Sequence, residues 1–165
     1  MTVQRITSGY TLLELVMVLA IIATALAMLA PSLSGFATNR KTEEVARQFV
    51  SLTRWARSQA VADGTTYQLV IDAQAGRWWL MVQPADSTDF EEVLGPFGRV
   101  YTVPEGVEIR PELPVVNGQQ AIQFDPTGRN DVAVIHFTGP RSDITVACDA
   151  PVEDFRILTD AEVRS

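Results

Sequence analysis

The sequence predicts an α+β protein: one long amino-terminal helix, transmembrane in its first half, packed on a small antiparallel β domain of two sheets. Three observations predict it. Residues 10–30 are apolar except for a single charge, Glu14. Apolar residues then recur at helical spacing to about residue 60. Past Gly64 the period becomes two, and short apolar runs alternate with proline and glycine.

At about 1.5 Å of rise per residue, the apolar run spans roughly 31 Å, the thickness of a bilayer's hydrocarbon core. Pro31 lacks an N–H and is expected to kink the helix there. Beyond it, Val45, Phe49, Leu52, Ala56 and Gln59/Ala60 form a stripe, with Arg47, Gln48, Ser51, Arg54 and Ser58 on the other side. That pattern predicts an amphipathic half lying on the β domain. Asp63-Gly64 ends the helix, glycine supplying the left-handed residue past the last turn. The organisation expected is therefore a segment 1–9, a helix over 10–64 that spans a membrane over 10–30, and a β-rich domain over 65–165.

Within that domain Tyr67, Leu69 and Ile71 alternate with Gln68, Val70 and Asp72, and a turn through Gly76 leads into 78–82. These two runs predict a hairpin. Residues 83–98, rich in acids, proline and glycine, read as a loop. Further short runs follow at 100–103, 107–109, 121–124, 132–137, 144–147 and 155–158. Several short strands after one long helix give the two-sheet α+β architecture.

The chain of 165 residues is large enough for one modest domain plus an appendage. Its charge is split: residues 1–64 sum to +2 and residues 65–165 to −9, which gives the overall −7. An acidic domain repels phosphate backbones, which argues against nucleic acid as a partner. The sole cysteine, Cys148, has no internal partner for a disulfide.

Three readings compete for the amino-terminal segment: a secretory signal peptide cut near Ala25-Leu26-Ala27, a plain membrane anchor, or a leader cut before the apolar run. Glu14 separates them. A carboxylate within a membrane span costs about 2.5–3.5 kcal/mol near its centre and less near its end. A signal peptide or simple anchor gains nothing from it; a helix that must pair with another chain's ammonium group does.

The run Ser8-Gly9-Tyr10-Thr11-Leu12-Leu13-Glu14-Leu15-Val16-Met17-Val18-Leu19-Ala20-Ile21-Ile22 resembles the type IV pilin and type II secretion pseudopilin signature. The resemblance implies that a prepilin peptidase and methyltransferase cuts between Gly9 and Tyr10 and methylates the new amine of Tyr10. It also implies that Glu14 neutralises a neighbouring subunit's amine during assembly. Tyr10 stands where the family usually has phenylalanine. Basic residues near the span, Arg5 against Arg40, Lys41 and Arg47, by themselves favour the opposite orientation, but the leader must face the cytoplasm to be cut.

A second stretch, Ile122-Gln123-Phe124-Asp125-Pro126-Thr127-Gly128-Arg129 with the following 132–137, resembles the core of the GspH/FimT pseudopilin domain. There a phenylalanine strand, a Pro-x-Gly turn and a second strand build a hairpin. The function implied is that of a minor pseudopilin, a structural subunit of the type II secretion pseudopilus. It would be held in the bacterial inner membrane by a single pass, with its domain in the periplasm and other pseudopilins as partners. The alternative is a FimT-like minor pilin of a type IV pilus, acting in pilus assembly or DNA uptake. That role calls for basic residues near the C terminus, whereas residues 151–165 hold Arg156 and Arg164 and more acids than bases.

No phosphate loop, dinucleotide fingerprint, CxxC pair or HExxH occurs, so no catalytic residues and no cofactor are expected. His136, in an alternating run with Val132 and Val134, reads as a packed or edge histidine. Cys148 reads as a small core residue. Asp125, Asn130 and Asp131 are the one group that could clasp calcium, yet carboxylates beside a glycine turn more simply close it. Trp78 and Trp79 fall on opposite faces of a strand, one in the core and the other available as a contact surface.

Overall fold

The computed structural model describes residues 11–115, 119–140 and 142–158, and for residues 27–39, inside a helix, the backbone alone. Among the described residues a single helix, α1 (Leu12–Asp63), precedes nine strands. These are β1 (Thr66–Asp72), β2 (Arg77–Gln83), β3 (Glu91–Glu92), β4 (Tyr101–Thr102), β5 (Glu108–Glu112), β6 (Gln120–Phe124), β7 (Ala133–Thr138), β8 (Asp143–Cys148) and β9 (Arg156–Ile157). The chain forms two compact units, Met1–Ala37 and Thr38–Ser165.

In the first unit the described side chains run from Thr11 to Leu26, and those of residues 12–26 all lie exposed on α1. Among the described residues no helix is long and apolar enough to cross a membrane. The expected span over 10–30 includes Tyr10 and the side chains of 27–30, which lie outside that description.

In the second unit the later half of α1 lies on two antiparallel sheets. The first has the order β3-β2-β1-β6, with β4 also pairing β2; the second has the order β5-β7-β8-β9. Phe49 explains why the stripe on α1 is needed. It is fully buried and meets Trp78 of the first sheet and Phe137 of the second edge-to-face, with centroids 5.8 and 5.6 Å apart. One helical side chain thus joins the cores of both sheets. Val45, Ala46, Leu52, Ala56 and Ala60 are buried with it, and their spacing of three and four keeps them on one face.

The predicted hairpin forms: Tyr67 stands opposite Val82, Leu69 opposite Leu80 and Ile71 opposite Trp78. Its turn is closed by Asp72 Oδ1, which accepts the Ala75 N–H at 2.9 Å. Gly76 has φ +60° and its carbonyl accepts the Val103 N–H at 2.8 Å. A Cβ there would come within 2.5 Å of the Val103 side chain, so this position requires glycine.

Two expectations are corrected. The segments 121–124 and 132–137 do not make a hairpin with each other. Strand β6 pairs with β1, while β7 pairs with β5 and β8 in the other sheet. The first segment instead makes one isolated bridge, Phe124–Asn130, to the chain ahead of the second. The reason is local: Asp131 Oδ2 accepts the Gln123 N–H at 2.9 Å, and the Gln123 carbonyl accepts the Asp131 N–H at 3.1 Å. Residue 131 satisfies both edge groups of Gln123, so the ladder stops and the chain is free to cross sheets. The second correction is that 83–98 is not all loop, since Glu91 and Glu92 pair with Val82 and Met81 as β3.

Candidate functional site

The start of α1 is built by its own sequence. Thr11 precedes the first helical residue, and its Oγ1 accepts the Glu14 N–H at 3.2 Å. Its carbonyl accepts the Leu15 N–H at 3.2 Å. The Thr-x-x-Glu spacing is that of a capping box, in which threonine satisfies one of the helix's unpaired amides. Glu14 therefore stands in the first turn, where the helix dipole favours a negative charge.

Around and after it the helix has no polar side. Leu12 is 81% exposed, Ile21 65% and Leu26 61%, and the residues between them are exposed as well. A helix that is apolar all round is stable only when lipid or other protein covers it. Thr24 fits such surroundings, because its hydroxyl donates to the Ala20 carbonyl at 2.7 Å and so needs no outside partner. Glu14 is the one ionisable group in this stretch. In an apolar medium it calls for a cation.

Gly9 and Tyr10 lie outside the described residues, as does the side chain of Pro31. His136 is half-buried on the outer face of the second sheet, with Nδ1 3.1 Å from Thr145 Oγ1 and Nε2 3.1 Å from Glu112 Oε1. It is a cross-strand packing residue. Cys148 is buried, accepts from Asn130 Nδ2 at 3.1 Å and donates to the Ala150 carbonyl at 3.1 Å. Trp78 is fully buried, and half-buried Trp79 on the opposite face lies under the Arg77 guanidinium, 5.8 Å from its ring centroid.

The carboxylates weighed for calcium are turned to backbone work. Asp125 Oδ1 accepts the Thr127 N–H at 2.8 Å and the Thr127 hydroxyl, and the Arg129 N–H lies 3.4 Å away. These hydrogen bonds, the Thr127 hydroxyl first, hold its carboxyl below the usual aspartate range. Asp131 serves Gln123 as described. Among the described residues no cluster of three or more His, Cys, Asp or Glu is placed to hold a metal.

Two contributors were not read from the sequence. Thr11 as a cap was legible in the Thr-x-x-Glu spacing. Arg57 was not: it donates to the carbonyls of Gly128 and Val152 and to Asp154, partners 71 to 97 residues away, and no local pattern announces them.

A sequence model of the family described as "Type II transport protein GspH" matches residues 45–151. A curated relative, the type II secretion system protein H of Xanthomonas campestris pv. campestris, is 28% identical over 148 residues, covering 87% of this chain and 75% of the relative. Among solved structures, the minor pseudopilin EpsH from the type 2 secretion system of Vibrio cholerae superposes with a TM-score of 0.63 at 16% identity, covering 74% of this chain and 99% of that one. The type IV minor pilin FimU of Pseudomonas aeruginosa superposes with a TM-score of 0.55 at 9% identity, over 76% of this chain and 94% of that one.

Proposed function

The chain belongs to the GspH family of type II transport proteins, and from that premise we propose that it is a minor pseudopilin, a structural subunit of the periplasmic filament of type II secretion. The observation that carries this reading is the start of α1: a capped first turn holding Glu14, followed by apolar side chains exposed on every side. In the precursor, residues 10–30 cross the inner membrane with the domain in the periplasm. The prepilin peptidase cuts between Gly9 and Tyr10, and the freed amine of Tyr10 is methylated. On assembly the stem leaves lipid for a sheath of other stems, which keeps it buried throughout.

Glu14 then has a task. Its carboxylate pairs with the Tyr10 amine of an adjacent subunit where water is scarce, and an unpaired partner on either side is costly there. The subunit's work is mechanical, and its partners are other pseudopilins and the processing enzyme. The type IV pilus alternative has less support, because the domain's acidic surface disfavours DNA.

The experiment is intact-mass and amino-terminal analysis of the chain made with a prepilin peptidase. The expected product begins at Tyr10 and carries one N-methyl group. A product beginning past residue 25 would restore the ordinary signal peptide and remove the stem.

A further inference from the structure

Strands β3 and β4 are joined by residues 93–100, a loop built to present one side chain. Val93 is buried, and its N–H donates to the Leu80 carbonyl at 3.2 Å. The Gly98 N–H donates to the Gly95 carbonyl at 3.1 Å, closing a tight turn. Gly95 has φ +95°, and a Cβ on Gly98 would lie 1.6 Å from the Val93 carbonyl oxygen. Both positions require glycine. Phe97 stacks on Trp55 of α1, with centroids 4.6 Å apart and planes 16° from parallel. On the far side, Arg99 lies over the Tyr101 ring at 4.8 Å. The loop is thus anchored at Val93, Phe97 and Arg99, and within it Leu94 stands 92% exposed, with Val100 at 55%.

A leucine fixed in that way loses little freedom on binding, which is the advantage of a preorganised contact. The charge around it defines the partner. Asp86, Asp89, Glu91 and Glu92 are exposed, no Lys or Arg occurs in 83–98, and none of the four acids is in an ion pair among the described residues. An anionic lipid surface would be repelled by them. A two-fold contact between copies would set the same acids face to face.

We infer that the 93–100 loop is a docking knob: Leu94 enters an apolar socket ringed by lysine or arginine on a different protein chain. The inference stands apart from the stem reading, since it uses no residue of the first unit. Complementary charge around an apolar centre is the anatomy of a specific interface.

The test is photo-crosslinking of the full chain in the cells that natively make it, with p-benzoyl-phenylalanine replacing Leu94 and, as control, Val152. Support is a light-dependent adduct with another polypeptide, mapped by mass spectrometry to an apolar residue with Lys or Arg beside it. Its yield should fall about tenfold or more with Glu91→Lys and Glu92→Lys, because like charges then face each other. The yield with unaltered acids should also fall as salt is raised, a readout that needs no charge-reversed variant to fold. Adducts with lipid, adducts with its own copies alone, no adduct above the Val152 control, or a yield indifferent to charge and salt would each overturn the proposal.

Discussion

The guanidinium of Arg57 lies 2.6 Å from Asp154 Oδ1, and the same side chain donates to the carbonyls of Gly128 and Val152 at 2.8 and 2.7 Å. One helical residue thereby fastens the turn after β6 and the segment before β9 to α1. The carbonyl bonds matter more than the ion pair, because Asp154 is half exposed and exposed pairs contribute little.

Arg57→Ala should therefore cost about 2 kcal/mol, the loss of charged hydrogen bonds to two carbonyls plus packing. Asp154→Ala should cost less than about 1 kcal/mol. Urea denaturation of both variants checks the order. Equal losses would place the stabilisation in the ion pair.

Phe49 is the joint between the two sheets, so Phe49→Ala should cost about 3–5 kcal/mol, as fully buried aromatics do. Phe97→Ala removes a ring that is partly exposed and should cost clearly less. Thermal melts monitored in the near ultraviolet compare them.

Acid should loosen the 125–131 turn. The folded carboxyl of Asp125 is held below its ordinary value by bonds from Thr127 and Arg129. Its contribution is therefore complete above the unfolded value of about 3.9 and is lost as pH falls through the lower folded value. Asp125→Asn should lower stability at neutral pH and flatten the acid limb of the stability curve, the two proteins converging at low pH. At the other end, burial and the 2.7 Å bond to Asp63 push the Tyr67 phenol up. Its stabilisation is complete below about pH 10 and fades as pH rises further, since the unfolded chain then releases the proton first. Tyr67→Phe should remove that alkaline loss.

Removing residues 1–37 should leave a soluble β-rich fragment, because the second compact unit begins at Thr38 and holds the buried face of α1. Circular dichroism and sedimentation without detergent check this. An unfolded or detergent-dependent fragment would mean that the domain needs the earlier half of the helix.

Glu14→Leu should leave leader cleavage intact and strengthen membrane insertion, while reducing recruitment into the filament. Glu14→Gln, which keeps the shape without the charge, should behave the same way. Cross-linking to neighbouring pseudopilins reports recruitment; normal recruitment of both variants would show the charge dispensable.

The sequence by itself determined whatever depends on periodicity and near neighbours. A repeat of three and four between Val45 and Ala60 named the buried face of α1, and alternation from Tyr67 to Val82 named the first hairpin. The proposed cut between Gly9 and Tyr10 and the proposed pairing of Glu14 are read from linear spacing along the chain alone. Only the tertiary structure decided that β6 and β7 belong to different sheets, since Asp131 ends the pairing after one bridge ahead of β7, a choice between competing ladders that alternation cannot rank. It also decided that Arg57 reaches partners up to 97 residues away and that Phe97 lies on Trp55 while Leu94 stands clear. Contacts between residues distant in sequence arise from packing and loop closure, and a one-dimensional pattern carries only which face is apolar, not what will cover it.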